Sequence, residues 1–110
     1  MEIIEKKQNE ISIFMLNGRL DSNTSSALEE KILEAIKSGS NKMIIDFAAL
    51  EYISSAGLRV LNKATKQLKP NEGTLILSSM QDYIREVFEI AGFDSFLPIV
   101  STMDEALKKF

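Results

Sequence analysis

The sequence predicts an α/β domain: a mixed, mostly parallel sheet that opens with an N-terminal antiparallel hairpin and carries about four helices. Three observations lead there. Apolar runs of strand length, at 11–16, 42–47 and 74–77, alternate with longer stretches of helical period. The links between them are short, which favours parallel strands joined by right-handed helical crossovers. A chain of 110 residues, 45% hydrophobic and 26% charged, suits one domain with one core, residues 1–110.

In chain order, residues 2–7 (EIIEKK) form a short strand and QNE a turn. The run 11–16 (ISIFML) is a strand buried on both faces, ending at Asn17-Gly18. The tight polar turn makes the pair a hairpin. Asp21, Ser22, Asn23 and Thr24 then offer helix caps, and Ser26 with Glu29 has capping-box spacing. Leu28, Ile32, Ala35 and Ile36 recur on one face of this helix, which stops near Ser38-Gly39. Residues 42–47 (KMIIDF) are the next core strand, with Asp46 at its carboxyl end. A short loop leads to Ser54-Ser55, which open a helix with the stripe Val60, Leu61, Ala64 and Leu68. Lys69-Pro70 ends that helix, because the residue before proline disfavours the α region. Residues 74–77 form a strand, and Ser78-Ser79 cap a helix burying Ile84, Val87 and Phe88. Gly92 stands where a terminating glycine belongs. Residues 96–100 (FLPIV) make an edge strand because of Pro98, and a closing helix runs through Phe110.

The composition removes much chemistry. There is no His and no Cys, hence no Ser-His-Asp triad, Cys nucleophile, disulfide or His- or Cys-ligated zinc. Nothing has the spacing of a calcium loop, so neither metal nor cofactor is expected. The net charge of −3 argues against nucleic-acid binding. The first ten residues lack a secretory apolar region, and no run approaches the ~20 apolar residues of a membrane span. The expectation is a cytoplasmic protein that is not an enzyme.

The informative stretch is 46–61, DFAALEYISSAGLRVL. A serine at a helix start ordinarily caps a free N–H. Here two serines come together, with Gly57 in the first turn, where glycine costs about 0.8–1 kcal/mol relative to alanine. Tight packing against the sheet and close approach of a ligand explain Gly57 equally well. Arg59, Lys63 and Lys66 recur along one helix face beside Asn62, and no acid occurs from Ser54 to Asn71. Such a run is ordinarily a solvated face; in an acidic chain this cationic ridge equally suits an acidic partner. A helix N-terminus welcomes negative charge, which makes Ser55 a candidate phosphorylation switch. Asp21, Asp46 and Ser55 are expected together at the carboxyl end of the sheet, the two acids supporting loops.

Tyr52-Ile53-Ser54-Ser55-Ala56-Gly57-Leu58, with Asp46 before it, resembles the signature of the bacterial anti-sigma factor antagonists, members of the STAS domain family. Gly18-Arg19-Leu20-Asp21 with Thr24, and Ile84-Arg85-Glu86-Val87-Phe88 through Ala91-Gly92-Phe93, are similar to two further family stretches. The resemblance implies a STAS-like fold and a protein–protein switch. Unphosphorylated, such a domain binds an anti-sigma factor that is also a GHKL-type serine kinase, and so releases a sigma factor. The kinase inactivates it at the serine aligned with Ser55, and a PP2C-type phosphatase restores it. The family places Asp before that serine, whereas this chain has Ser54, a second candidate phosphosite. The implied contact surface comprises Asp21, Ser22, Asn23 and Thr24 in one loop. From the helix it adds Ser54, Ser55, Ala56, Gly57, Arg59, Asn62, Lys63 and Lys66. The free protein is expected to be a monomer. The alternative reading is a STAS sensor module that holds a small anion or nucleotide at the same helix start.

Overall fold

The computed structural model describes the whole chain, Met1–Phe110. Strand β1 (Glu2–Gln8) pairs antiparallel with β2 (Ile11–Leu20), from Glu2 opposite Asn17 to Gln8 opposite Ile11. The two-residue turn between them, Asn9-Glu10, has φ of 50° and 69°. Two positive values mark the type I′ turn, whose twist matches that of the strands it joins.

Then follow α1 (Ser25–Lys37), β3 (Lys42–Ile53), α2 (Ser55–Leu68), β4 (Thr74–Ser78), α3 (Asp82–Ile90), β5 (Ile99–Val100) and α4 (Met103–Leu107). The strands stand in the sheet in chain order, and every pair after the first is parallel. Sequential parallel strands joined by crossovers of one hand place every crossover helix on the same face. Accordingly Leu28 and Ile32 of α1, Leu61 and Ala64 of α2, and Ile84 and Phe88 of α3 share one core. They meet Phe14, Leu16, Ile45, Phe47 and Leu77 of the sheet there. Helix α4 follows the last strand and is free to turn to the other face, where Ala106 packs on Ile13, Ile44 and Ile76. The period-two alternation is clean: Met43 and Ile45 face the first core, Ile44 the second.

Several boundaries differ from the sequence reading. Strand β3 does not stop at Phe47 but continues to Ile53, because the long β2 goes on pairing with it as far as Leu20 opposite Ile53. It carries two extra residues on the way. Met15 and Asn17 face Asp46 and Ala49, and Gly18 and Arg19 face Leu50 and Tyr52. Each is a bulge that bends the strand. The Ser26–Glu29 capping box does not form: α1 starts at Ser25 after Thr24, and no side chain caps it. Gln81, rather than Ser78 or Ser79, precedes α3, since Ser78 is spent in β4 and Ser79 is left-handed at φ 65°. Residues 93–95 form a 3-10 turn, which leaves only Ile99 and Val100 to pair as β5. Gly92 terminates α3 with φ 77°, as expected.

Candidate functional site: the paired loops at the start of helix α2

The β2–α1 loop and the start of α2 are neighbours because β2 and β3 end side by side. The Ser54 N–H donates to Leu20 O at 2.9 Å, which ties one loop to the other. Ser54 is the N-cap: its extended backbone turns the chain into the helix, and its Oγ accepts the Gly57 N–H at 3.4 Å. Ser54 is therefore half-buried and already engaged, while Ser55, the first helical residue, is exposed. The helix places the Ser55 hydroxyl in solvent where the dipole is positive.

Gly57 is buried, and a Cβ there would come within 2.8 Å of Leu20 Cγ and 2.9 Å of Ile53 Cγ1. Of the two explanations left open by the sequence, packing is the one observed. The glycine lets the first turn of α2 sit down on the ends of β2 and β3, which holds the two loops together.

Asp21 organises the other loop. Its Oδ1 accepts the amides of Asn23 at 3.0 Å and Thr24 at 3.1 Å. The Thr24 hydroxyl accepts the Asp21 N–H at 2.9 Å and donates to Arg19 O at 2.8 Å. Desolvation pushes the Asp21 carboxyl up, but the amides of Asn23 and Thr24, the Thr24 hydroxyl and the Arg19 guanidinium outweigh it. Its pKa lies below the ordinary 3.8. Ser22 and Asn23 project from this turn into solvent.

Asp46 does not belong to the site. Phe47 to Ile53 separate it from the serines, roughly 20 Å of extended chain. Its Oδ1 accepts the Ala48 N–H at 2.9 Å, so it supports the first bulge of β3 and not the serine loop. The expectation that it stands with Asp21 and Ser55 at the sheet end fails because β3 is longer than its apolar run.

The cationic ridge is present, with one change. Arg59, Lys63 and Lys66 are all exposed on α2 and Asn62 is half-buried beside them. Lys63 Nζ, however, lies 2.6 Å from Glu29 Oε2 of α1. Lys63 is thereby committed to joining two helices, whereas Arg59 has no carboxylate partner. A shallow groove between α1 and α2, lined by Ser25, Glu29, Ala56, Arg59, Val60 and Lys63, flanks the helix start.

Two features escaped the sequence reading. Arg19 Cζ stands 4.2 Å over the Tyr52 ring, and its Nε is 4.0 Å from Asp21 Oδ2, so Arg19 braces both loops. Parallel pairing of the strand ends would have shown it, had β3 been drawn to its full length. Gln81 Nε2 donates to Ala48 O at 3.3 Å and Leu50 O at 3.5 Å, covering the edge of β3 beyond the end of β4. No local pattern announces that role.

Among known families, the model of the STAS domain matches residues 2–106. This chain belongs to the STAS domain family. BtrV of Bordetella bronchiseptica, a protein named as an anti-sigma factor antagonist, is 34% identical over 110 residues. The match covers 100% of this STAS domain and 95% of BtrV. RsfB of Mycobacterium tuberculosis, named an anti-sigma-F factor antagonist, is 27% identical over 101 residues, 90% of this chain and 80% of its own. The fold of the STAS domain agrees with that of a solved Thermotoga maritima protein described as an anti-sigma factor antagonist. The TM-score is 0.92 at 21% identity, over 97% of this chain and 92% of that one. It also matches phosphorylated SpoIIAA from Bacillus, with TM-score 0.76 at 24% identity over 98% of each chain. No helix of this STAS domain is long and apolar enough to cross a membrane, and no group of three acidic side chains is gathered to hold a metal ion.

Proposed function

We propose that this STAS domain is a cytoplasmic, phosphorylation-switched antagonist of an anti-sigma factor. Unphosphorylated, it docks on an anti-sigma factor that is also a GHKL-type serine kinase, and a sigma factor is released. The contact surface is the Asp21–Thr24 loop with the cap residue Ser54 and with Ser55, Ala56, Arg59, Asn62 and Lys66 of α2. Phosphorylation of Ser55 ends the complex, and a PP2C-type phosphatase renews it.

The observation that carries this reading is the division of labour between the serines. Ser54 Oγ is occupied in the cap, whereas the Ser55 hydroxyl is exposed at the positive end of a 14-residue helix. Ser54 holds the position where the family has an acid, and either residue serves as an N-cap acceptor. Kinship with BtrV and RsfB, both named antagonists, supports the partner class.

The energetics place Ser55 inside the contact. A phosphoryl group adds about −1.5 to −2 charge. At the helix start that charge is tolerated, favoured by about 0.3–1 kcal/mol, so the fold itself does not oppose it. Mispaired charge within an interface costs about 2–5 kcal/mol. Switching a complex from 99:1 to 1:99 takes about 5.5 kcal/mol. A phosphate at the rim falls far short of that; only one at the centre, at the top of that range, approaches it.

The test is capture from a cell lysate with wild type, Ser55→Ala and Ser55→Asp, followed by mass spectrometry. The expected result is a GHKL-type kinase retained by wild type and Ser55→Ala and lost by Ser55→Asp. After ATP is added to the captured complex, intact mass should show one added phosphate, and peptide fragmentation should place it on Ser55 and not on Ser54. Equal capture by all three proteins, or phosphate on Ser54 alone, overturns the reading.

A further inference from the structure

We propose that Arg59 is the internal counter-ion of a phosphoryl group on Ser55, so that modification withdraws from the docking surface the free cation nearest the helix start. The inference rests on the reading of Ser55 as the phosphorylated residue and adds how the added charge acts.

Ser55 and Arg59 stand four residues apart on α2, and both are exposed. At that spacing side chains are neighbours, with Cβ atoms about 5–6 Å apart. Every Cα–Cβ bond in a helix tilts toward the N-terminus, and long side chains run back over the preceding turn. From that position the long Arg59 side chain, which also lines the groove beside Ala56, is able to reach back to a phosphoryl group on Ser55. An acid N-terminal to its base is also the stronger order for such a pair.

The other cations near the helix start already have partners in the fold. Arg19 stacks on Tyr52 at 4.2 Å and lies 4.0 Å from Asp21. Lys63 is held by Glu29 at 2.6 Å, which also occupies the nearest carboxylate of α1. Lys66 lies two turns beyond Arg59. Asp21, the acid of the adjoining loop, is taken up by Asn23 and Thr24. Arg59 alone combines proximity with a free guanidinium, whose planar fork fits phosphate oxygens in pairs.

Docking of the unphosphorylated domain then uses Arg59 against an acid of the partner. Phosphorylation adds an anion and turns this cation inward in the same event. Both changes act on one patch of surface while the backbone stays in place.

The experiment uses the full chain with phosphoserine installed at position 55 by genetic encoding, so that no kinase is required. The second ionisation of the phosphoserine is followed by 31P NMR at low ionic strength, where surface pairs are least screened. Arg59→Ala should raise its pKa by about half a unit, Arg59→Lys by less, and Lys66→Ala should leave it unchanged. Arg59 is exposed, and amide NMR spectra check that the variants remain folded. Equal titration of wild type and Arg59→Ala overturns the proposal, as does an equal shift in Lys66→Ala, which would mean a diffuse field. The titration does not depend on any cellular kinase. Failure to find Ser55 modified in lysate therefore sinks the functional reading without touching the ion pair, and a flat titration does the reverse.

Discussion

Gly57 shows how a single missing Cβ sets the geometry of the candidate site. The space a methyl would need is filled by Leu20 and Ile53, the last residues of the two strands that α2 rests on. Gly57→Ala gains helix propensity of about 0.8–1 kcal/mol but must push two packed side chains aside. Overpacking of this kind costs about 1–3 kcal/mol. The expected outcome is a net loss of stability in urea melts and a weaker Ser54–Leu20 tether by amide exchange; a gain in stability would show that the first turn can shift freely. Asp21 gives the pH prediction. Its folded pKa is lowered, so its contribution to stability is fully present above the ordinary 3.8 and is lost as pH falls through the folded value. Asp21→Ala should therefore be less stable than wild type at pH 7, with the difference shrinking below pH 3.8, as read by urea melts at several pH values.

At the scale of elements, the hairpin turn carries strain that the rest of the fold holds in place. Glu10 sits at φ 69° in a position that type I′ turns give to glycine. A left-handed conformation costs a residue with a Cβ about 1–2 kcal/mol, part of which glycine returns to chain entropy in the unfolded state. Glu10→Gly is expected to stabilise the domain by about 0.5–1 kcal/mol in thermal melts, while the β1–β2 register stays unchanged. The register persists because turn type and the two-residue loop length, which fix the register of a hairpin, are unchanged. The bulges of β3 serve a similar positioning purpose. They bend the strand so that its last residues, Tyr52 and Ile53, run beside Arg19 and Leu20, and the two loops of the candidate site emerge together.

For the molecule as a whole, the two faces of the sheet are unequally protected. Three helices cover one, and the five-residue α4 is the helix on the other. Ala106 is fully buried there, so Ala106→Asp would place an unpaired carboxylate on Ile13, Ile44 and Ile76. Breaking burial in this way costs about 3–5 kcal/mol, a large part of the stability of a domain this size. The expected result is a protein unfolded or strongly shifted in its thermal melt at neutral pH, with recovery as the carboxyl is protonated. This dependence on α4 concerns stability alone, because the serine loops lie at the sheet end and on the other face.

Much of the architecture was legible in the sequence because it rests on local periodicity. The alternating apolar runs announced the strands, the helical stripes the crossovers, and Gly92 and Pro70 the helix ends. The serine pair, its place at a helix start and its cationic flank could also be read, since helix capping and face composition are properties of neighbours in the chain. Pairing across the sheet could not. The mixed stretch from Ala48 to Tyr52, with Leu50 its one aliphatic core residue, reads as a loop, and only the length of β2 draws it into β3 and carries Asp46 away from the serines. In the same way only the packing of α1 on α2 commits Lys63 to Glu29 and leaves Arg59 free. Sequence determines what each segment can bury; the partners of its remaining polar and charged groups are settled by which segments the tertiary fold brings side by side.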